Sequence, residues 1–113
     1  MTGTVLAKLD DIPDGGSAAQ VAEIDGERLG LMAIRSGVRV FVYINSCPHI
    51  GAPLDFTPGQ FLNREGTHIL CTNHGALFRI GDGHCVSGPC AGDNLRPIPV
   101  EVRGPDIVLI GDG

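Results

Sequence analysis

Short apolar runs separated by glycine-containing breaks set the rhythm of this chain. Val5-Leu6-Ala7-Lys8-Leu9, Ala19–Ile24, Arg28–Ile34 and Val38–Ile44 follow one another through the first 44 residues, with Asp25-Gly26 and Ser36-Gly37 between the later runs. Runs of this length suit strands, and Gly and Asp tolerate the positive φ that tight primed turns require. The first 44 residues are therefore expected to form a β-meander. Further on, Thr67–Leu70, Ala76–Ile80, His84–Val86, Ile98–Val102 and Asp106–Ile110 are strand candidates, with Gly81-Asp82-Gly83 and Arg103-Gly104-Pro105 as the turns between two of the pairs. No segment predicts a long helix. Strands spaced by about 8–12 residues with Gly-rich turns predict an all-β fold, a small antiparallel sandwich or barrel.

Residues 45–75 break this rhythm, with Pro48, Gly51, Pro53, Pro58, Gly59, Gly66 and Gly75 interrupting every periodicity. Irregular connections longer than about 12–15 residues are uncommon in a compact domain unless they serve a function. At 113 residues the chain is expected to be one domain, 1–113. Its apolar fraction is 42%, yet aromatics are only 4% and Trp is absent, so the core must come from Val, Ile, Leu and Ala. A core that thin gains from a metal staple.

Charge narrows the partners. The net charge is −5, and basic residues occur singly from Lys8 to Arg103, so the concentrated basic footprint of a nucleic-acid binder is missing. The N-terminal residues carry neither a basic start nor an apolar run, and nowhere do about 18 apolar residues follow one another. A soluble, cytoplasmic protein with no membrane partner is expected. Without secretory context, Cys47, Cys71, Cys85 and Cys90 favour metal or redox use over a disulfide framework.

Two boxes in the irregular region carry the chemistry: Cys47-Pro48-His49 and Cys71-Thr72-Asn73-His74. Together they offer two thiolates and two imidazoles, a set used by zinc and by iron–sulfur clusters. Tetrahedral zinc sites usually draw both cysteines from one knuckle and both histidines from another, whereas here each loop gives one of each. That distribution suits a binuclear cluster in which each loop serves both irons. An all-cysteine cluster from Cys47, Cys71, Cys85 and Cys90 is the other alternative, but the plant-type spacing is absent because no cysteine follows Cys90.

Cys47-Pro48-His49-Ile50-Gly51-Ala52-Pro53-Leu54 and Cys71-Thr72-Asn73-His74-Gly75-Ala76-Leu77-Phe78 resemble the paired ligand boxes of the Rieske [2Fe–2S] family, and Ser87-Gly88-Pro89-Cys90 resembles the proline-containing loop that covers its cluster. The resemblance implies two cluster-binding loops at one tip of the fold. It also implies one [2Fe–2S] cluster per chain, with Cys47 and Cys71 on one iron and His49 and His74 on the other. The 21 residues between His49 and Cys71 exceed the family's usual interval by a few, so Leu54–Gly66 is expected to form a surface extension. Gly51 and Gly75 are read either as close-approach positions offering N–H donors to sulfide or as turn glycines. His68 and His84 are expected to be ordinary surface residues, and Cys85 and Cys90 core or cover-loop residues.

The branch of the family follows from what is missing. Over these 113 residues neither the catalytic domain of a Rieske oxygenase nor a membrane anchor of the cytochrome bc type is expected. High-potential members carry a disulfide pair where this chain has Ala52 and Asn73, and a serine and tyrosine where it has Ala76 and Phe78. The resemblance thus implies a low-potential ferredoxin. Such a protein is an electron-transfer component and not an enzyme on its own. It passes single electrons from a reductase, a flavoprotein or ferredoxin reductase, to a terminal oxygenase, often for aromatic-compound oxidation. The alternatives are a small subunit of a nitrite-reductase-type complex and a zinc-stabilised binding module. Asp55, Glu65, Asp82 and Asp93 are expected to steer a basic acceptor towards the cluster tip.

Overall fold

The computed structural model describes residues 4–24, 26–46, 54, 59–71, 75–88 and 92–110. Its organising feature is Leu31-Met32-Ala33-Ile34, buried at all four positions. Successive side chains of a strand point to opposite faces, so a run buried throughout must separate two cores. Leu31 and Ala33 enter one core with Ile12, Val42, Ile98 and Ile107. Met32 and Ile34 enter another with Tyr43, Leu54, Phe61, Cys71 and Phe78.

Among the described residues, nine strands build three antiparallel sheets of three. They are β1 (Thr4–Lys8), β2 (Ser17–Ile24), β3 (Glu27–Ser36), β4 (Arg39–Ile44), β5 (His68–Cys71), β6 (Ala76–Arg79), β7 (Cys85–Ser87), β8 (Val100–Arg103) and β9 (Asp106–Leu109). The spatial orders are β1-β9-β8, β2-β3-β4 and β5-β6-β7. The expected all-β antiparallel fold is thus present, with one short 3-10 turn at Leu9–Asp11. No helix among the described residues is long and apolar enough to cross a membrane.

The expected meander holds for β2, β3 and β4 but not for β1, which pairs with β9 from the far end of the chain. Its cause is local. After β1 the Leu9–Asp11 turn redirects the chain, the Leu9 amide donates to the Pro105 carbonyl at 2.8 Å, and Arg35 donates to the carbonyls of Leu9 and Ile12 at 3.3 and 3.0 Å. Leu6 and Ala7 then pack on the core that holds Ile107, which burial rewards. Where β4 ends, the Ile44 amide donates to the Arg96 carbonyl at 2.9 Å, and the Ile98 amide to the Val42 carbonyl at 2.8 Å. These bonds lace the segment before β8 onto the central sheet.

Candidate metal centre

Cys71 closes β5 on the core side. In His68-Ile69-Leu70-Cys71 burial alternates, with Ile69 and Cys71 completely covered, so the Cys71 side chain joins Ile69, Ala76 and Phe78 in one apolar cluster. Cys71 sits directly across from Ala76 in the β5–β6 pairing. Gly75 turns the chain at φ 72°, and its amide donates to the Cys71 carbonyl at 2.9 Å. That bond pins the base of the loop that carries the second box. It also engages the Gly75 N–H, so of the two readings of this glycine the turn is the one realised.

The first box is pinned in the same way. Asn45, just beyond β4, accepts a 2.8 Å hydrogen bond from the Leu54 amide through Oδ1, so the chain departing after β4 returns to the same place. Leu54 is completely buried and belongs to the cluster that holds Cys71. Both boxes therefore spring from one apolar core. Asn45 escaped the sequence reading because an asparagine next to a strand end looks like any turn former.

Of the four expected ligands, Cys71 is within the described residues, while Cys47, His49 and His74 lie outside them, as do Gly51, Ala52, Asn73, Pro89 and Cys90. The described part fits a cluster of the expected kind. No charged or polar residue is buried among the described residues. Two thiolates cancel the charge of an oxidised iron–sulfide core and neutral imidazoles add none, so the oxidised assembly suits an uncharged cradle. No other group of three or more His, Cys, Asp and Glu among the described residues could hold a metal ion.

The remaining candidates have ordinary roles. His68 Nδ1 shares a hydrogen bond with Thr67 Oγ1 at 2.9 Å, and His84 Nδ1 with Asn94 Oδ1 at 2.8 Å. The buried Cys85 thiol donates to the Ser87 carbonyl at 3.3 Å. The expected surface extension over Leu54–Gly66 needs correction: Leu54 and Phe61 are completely buried in the core that holds Cys71, and at the surface Asn63 Oδ1 accepts from the amides of Thr67 and His68 at 2.9 and 3.1 Å, closing the Asn63–Gly66 turn before β5.

The expected steering charges need correction. β5 runs towards Cys71 and β6 away from it, so Glu65 before β5 and Asp82 after β6 lie at the end of the sheet remote from Cys71. Four strand residues put roughly 10 Å between the two ends. Asp82 is moreover paired with Arg79, through contacts of 2.6 and 3.1 Å. The guanidinium, and after it the His84 amide, hold the Asp82 carboxyl below its usual range. Asp93 is exposed beside the segment that follows β7, and Asp55 is outside the described residues.

Comparison with known proteins places these observations in a family. The model of the Rieske [2Fe–2S] domain matches residues 3–109, and the chain belongs to that family. The domain is one that binds a [2Fe–2S] cluster, which removes zinc as the reading of the ligand boxes. Among solved structures, the chain is similar to the ferredoxin of carbazole 1,9a-dioxygenase from Nocardioides aromaticivorans IC177, with 27% identity, a TM-score of 0.75, and coverage of 97% of this chain and 98% of that one. It is similar to the Sphingomonas yanoikuyae B1 ferredoxin at 25% identity and a TM-score of 0.76, covering 96% and 98% of the two chains. The fold also matches a chain in a complex of reduced oxygenase and oxidised ferredoxin in carbazole 1,9a-dioxygenase, at 23% identity, a TM-score of 0.71, and coverage of 96% and 92%. No curated protein sequence matches the chain.

Proposed function

We propose that residues 1–113 act as one domain, a soluble, cytoplasmic ferredoxin that carries single electrons from a reductase to a terminal oxygenase. In this reading Cys47 and Cys71 hold one iron and His49 and His74 the other. The observation that carries it is the placement of Cys71, a completely buried thiol ending β5 on the core from which both box-bearing loops spring. When bound, the cluster supplies a one-electron site whose potential is raised by its two neutral imidazole ligands. The chain's own residues set its surroundings. Cys71 is held by the strand and by the Gly75 amide, Asn45 fixes the return of the first loop, and Ala76 and Phe78 keep water from the strand end.

The electron-carrier role and the aromatic-oxidation setting are supported by full-length similarity to ferredoxins, one of them the ferredoxin of a carbazole dioxygenase. A reductase, whether a flavoprotein or a ferredoxin reductase, is required by electron balance, since a carrier that gives up one electron must regain one. Reconstitution tests the assignment: the protein should link a ferredoxin-dependent aromatic-ring oxygenase to NADH through a flavoprotein reductase, with turnover proportional to added carrier. Turnover equal with and without the protein, across several such oxygenases, would contradict the assignment.

A further inference from the structure

Each sheet has two edge strands, and among the described residues all but β2 are closed or blunted. The segment before β8 closes β4 through the Ile44 and Ile98 amides, and β8 itself lies beside β4. At β5 the Leu70 amide donates to the Phe61 carbonyl at 2.7 Å and the Asn63 amide to the His68 carbonyl at 3.0 Å. At β7 the Cys85 amide donates to the Asp93 carbonyl at 2.8 Å. β1 is free along its outer side, but its register shifts between Val5 and Ala7 and it ends on Lys8. A bulge and a lysine are the usual devices that keep a free edge from pairing.

β2 has neither. It is 8 residues long, pairs with β3 without a shift from Ser17 to Ile24, and holds no proline, lysine or arginine. The Arg35 amide donates to the Gly16 carbonyl at 3.0 Å, which sets the alternation that follows. Ala18, Gln20 and Ala22 turn their backbone groups towards β3, and Ala19, Val21 and Glu23 turn theirs outward. Gly59 roofs the Ser17 end, where its carbonyl accepts from Ser17 Oγ at 2.8 Å. Beyond that end Ala19, Val21 and Glu23 are exposed. Val21 is 57% exposed, and its neighbour across the ladder is Gly30, which has no side chain to cover it.

We propose that the outer edge of β2 pairs with β2 of a second copy of this chain, antiparallel about a two-fold axis at Val21. That axis sets Val21 opposite Val21 and Ala19 opposite Glu23. Every residue in these pairs has outward backbone groups, so each pair exchanges both N–H···O bonds. Glu23, the one charged residue of β2, meets an alanine, with Arg28 beside it in its own sheet. A two-fold contact needs this self-complementarity, and the edge has it. The contact is small, so the dimer is reversible. The Gly30 carbonyl also accepts from the Asn45 amide at 2.9 Å, so pairing brings Asn45 of both copies, where the first ligand loop begins, into one row of a joined sheet. None of this depends on the cluster reading.

Sedimentation equilibrium of the iron-loaded protein over a wide concentration range, at low and high salt, tests the pairing. Wild type should dimerise reversibly and more tightly as salt rises, because two copies of net charge −5 repel each other. Val21→Lys sets two lysines against each other at the axis and should weaken the dimer at least about tenfold. Val5→Lys, on the blunted edge of β1, should leave the dimer within about twofold of wild type. The amides of Ala19, Val21 and Glu23 should exchange more slowly at high protein concentration. A monomer at every concentration, or a dimer as strong in Val21→Lys as in wild type, would overturn the proposal. Protection of these amides only after a terminal oxygenase is added would overturn it too, by assigning the edge to a strand of another protein. Iron and sulfide measured in the same samples judge the cluster reading separately, since Val21→Lys should leave both unchanged.

Discussion

The hydroxyl of Tyr43 donates a 2.6 Å hydrogen bond to the carbonyl of Ile80, tying the last strand of the central sheet to the turn after β6. Burial raises the Tyr43 pKa to about 12, and the nearby Asp82 carboxylate pushes in the same direction. The fold thus depends on the protonated phenol. Tyr43→Phe leaves the Ile80 carbonyl without this donor and should cost about 1–2 kcal/mol, read as a lower urea midpoint.

The same residue predicts a pH dependence. The folded pKa lies above the unfolded value, so the stabilisation is fully present below about pH 10 and is lost as pH rises through about 12. The chain has 1 tyrosine, so tyrosinate absorbance follows this group alone. Ionisation at the ordinary value in the folded protein would contradict the burial argument.

The ligand assignment predicts a sharp division among the cysteines. Cys47→Ser, Cys71→Ser, His49→Ala and His74→Ala should each lose bound iron and acid-labile sulfide, whereas Cys85→Ser and Cys90→Ser should keep both. For Cys85 the structure gives the reason, since its thiol is engaged by the Ser87 carbonyl. Full iron and sulfide in Cys71→Ser would refute the assignment.

Ala76 and Phe78 bear on the potential. Both are completely buried beside Cys71 and neither side chain has a hydroxyl to offer cluster sulfur. The reduced cluster is the more negative form, so donors favour reduction and their absence lowers the potential. If each missing bond differs by about 1–2 kcal/mol between redox states, two lower the potential by roughly 80–170 mV at about 59 mV per 1.4 kcal/mol. Voltammetry should give a value in the lower part of the Rieske range of about −150 to +300 mV, and Ala76→Ser with Phe78→Tyr should raise it. A wild-type value above about +150 mV would contradict the argument.

Geometry also predicts which charges affect docking. Reversing Glu65 or Asp82, both remote from Cys71, should leave the rate of electron delivery and its salt dependence unchanged, whereas reversing Asp93 should weaken the salt dependence. Stopped-flow oxidation of the reduced protein at several ionic strengths measures this. A large effect at Asp82 would place the docking face at the wrong end of the sheet.

Much of this was legible from local chemistry. Apolar runs and Gly-containing turns located each strand to within a residue or two, since φ requirements and side-chain alternation act over a few residues. The pairing of β1 with β9 was not legible, because nothing local in Val5–Leu9 distinguishes a partner next in sequence from one about a hundred residues away. Spacing and residue type gave Cys71 its place among the expected ligands. The supporting contact, Asn45 to Leu54, starts from a residue type common in turns, and only the folded backbone gives it meaning. Asp82 misled for a similar reason: its formal charge is visible in sequence, but its neutralisation by Arg79 is a feature of the hairpin.

The most direct test of the central claim is a coulometric titration of the purified, iron-loaded protein, followed by visible absorption. A Rieske ferredoxin should take up one electron per chain, with the visible bands bleaching in step and returning on reoxidation. A colourless protein that binds zinc and takes up no electrons would contradict the account.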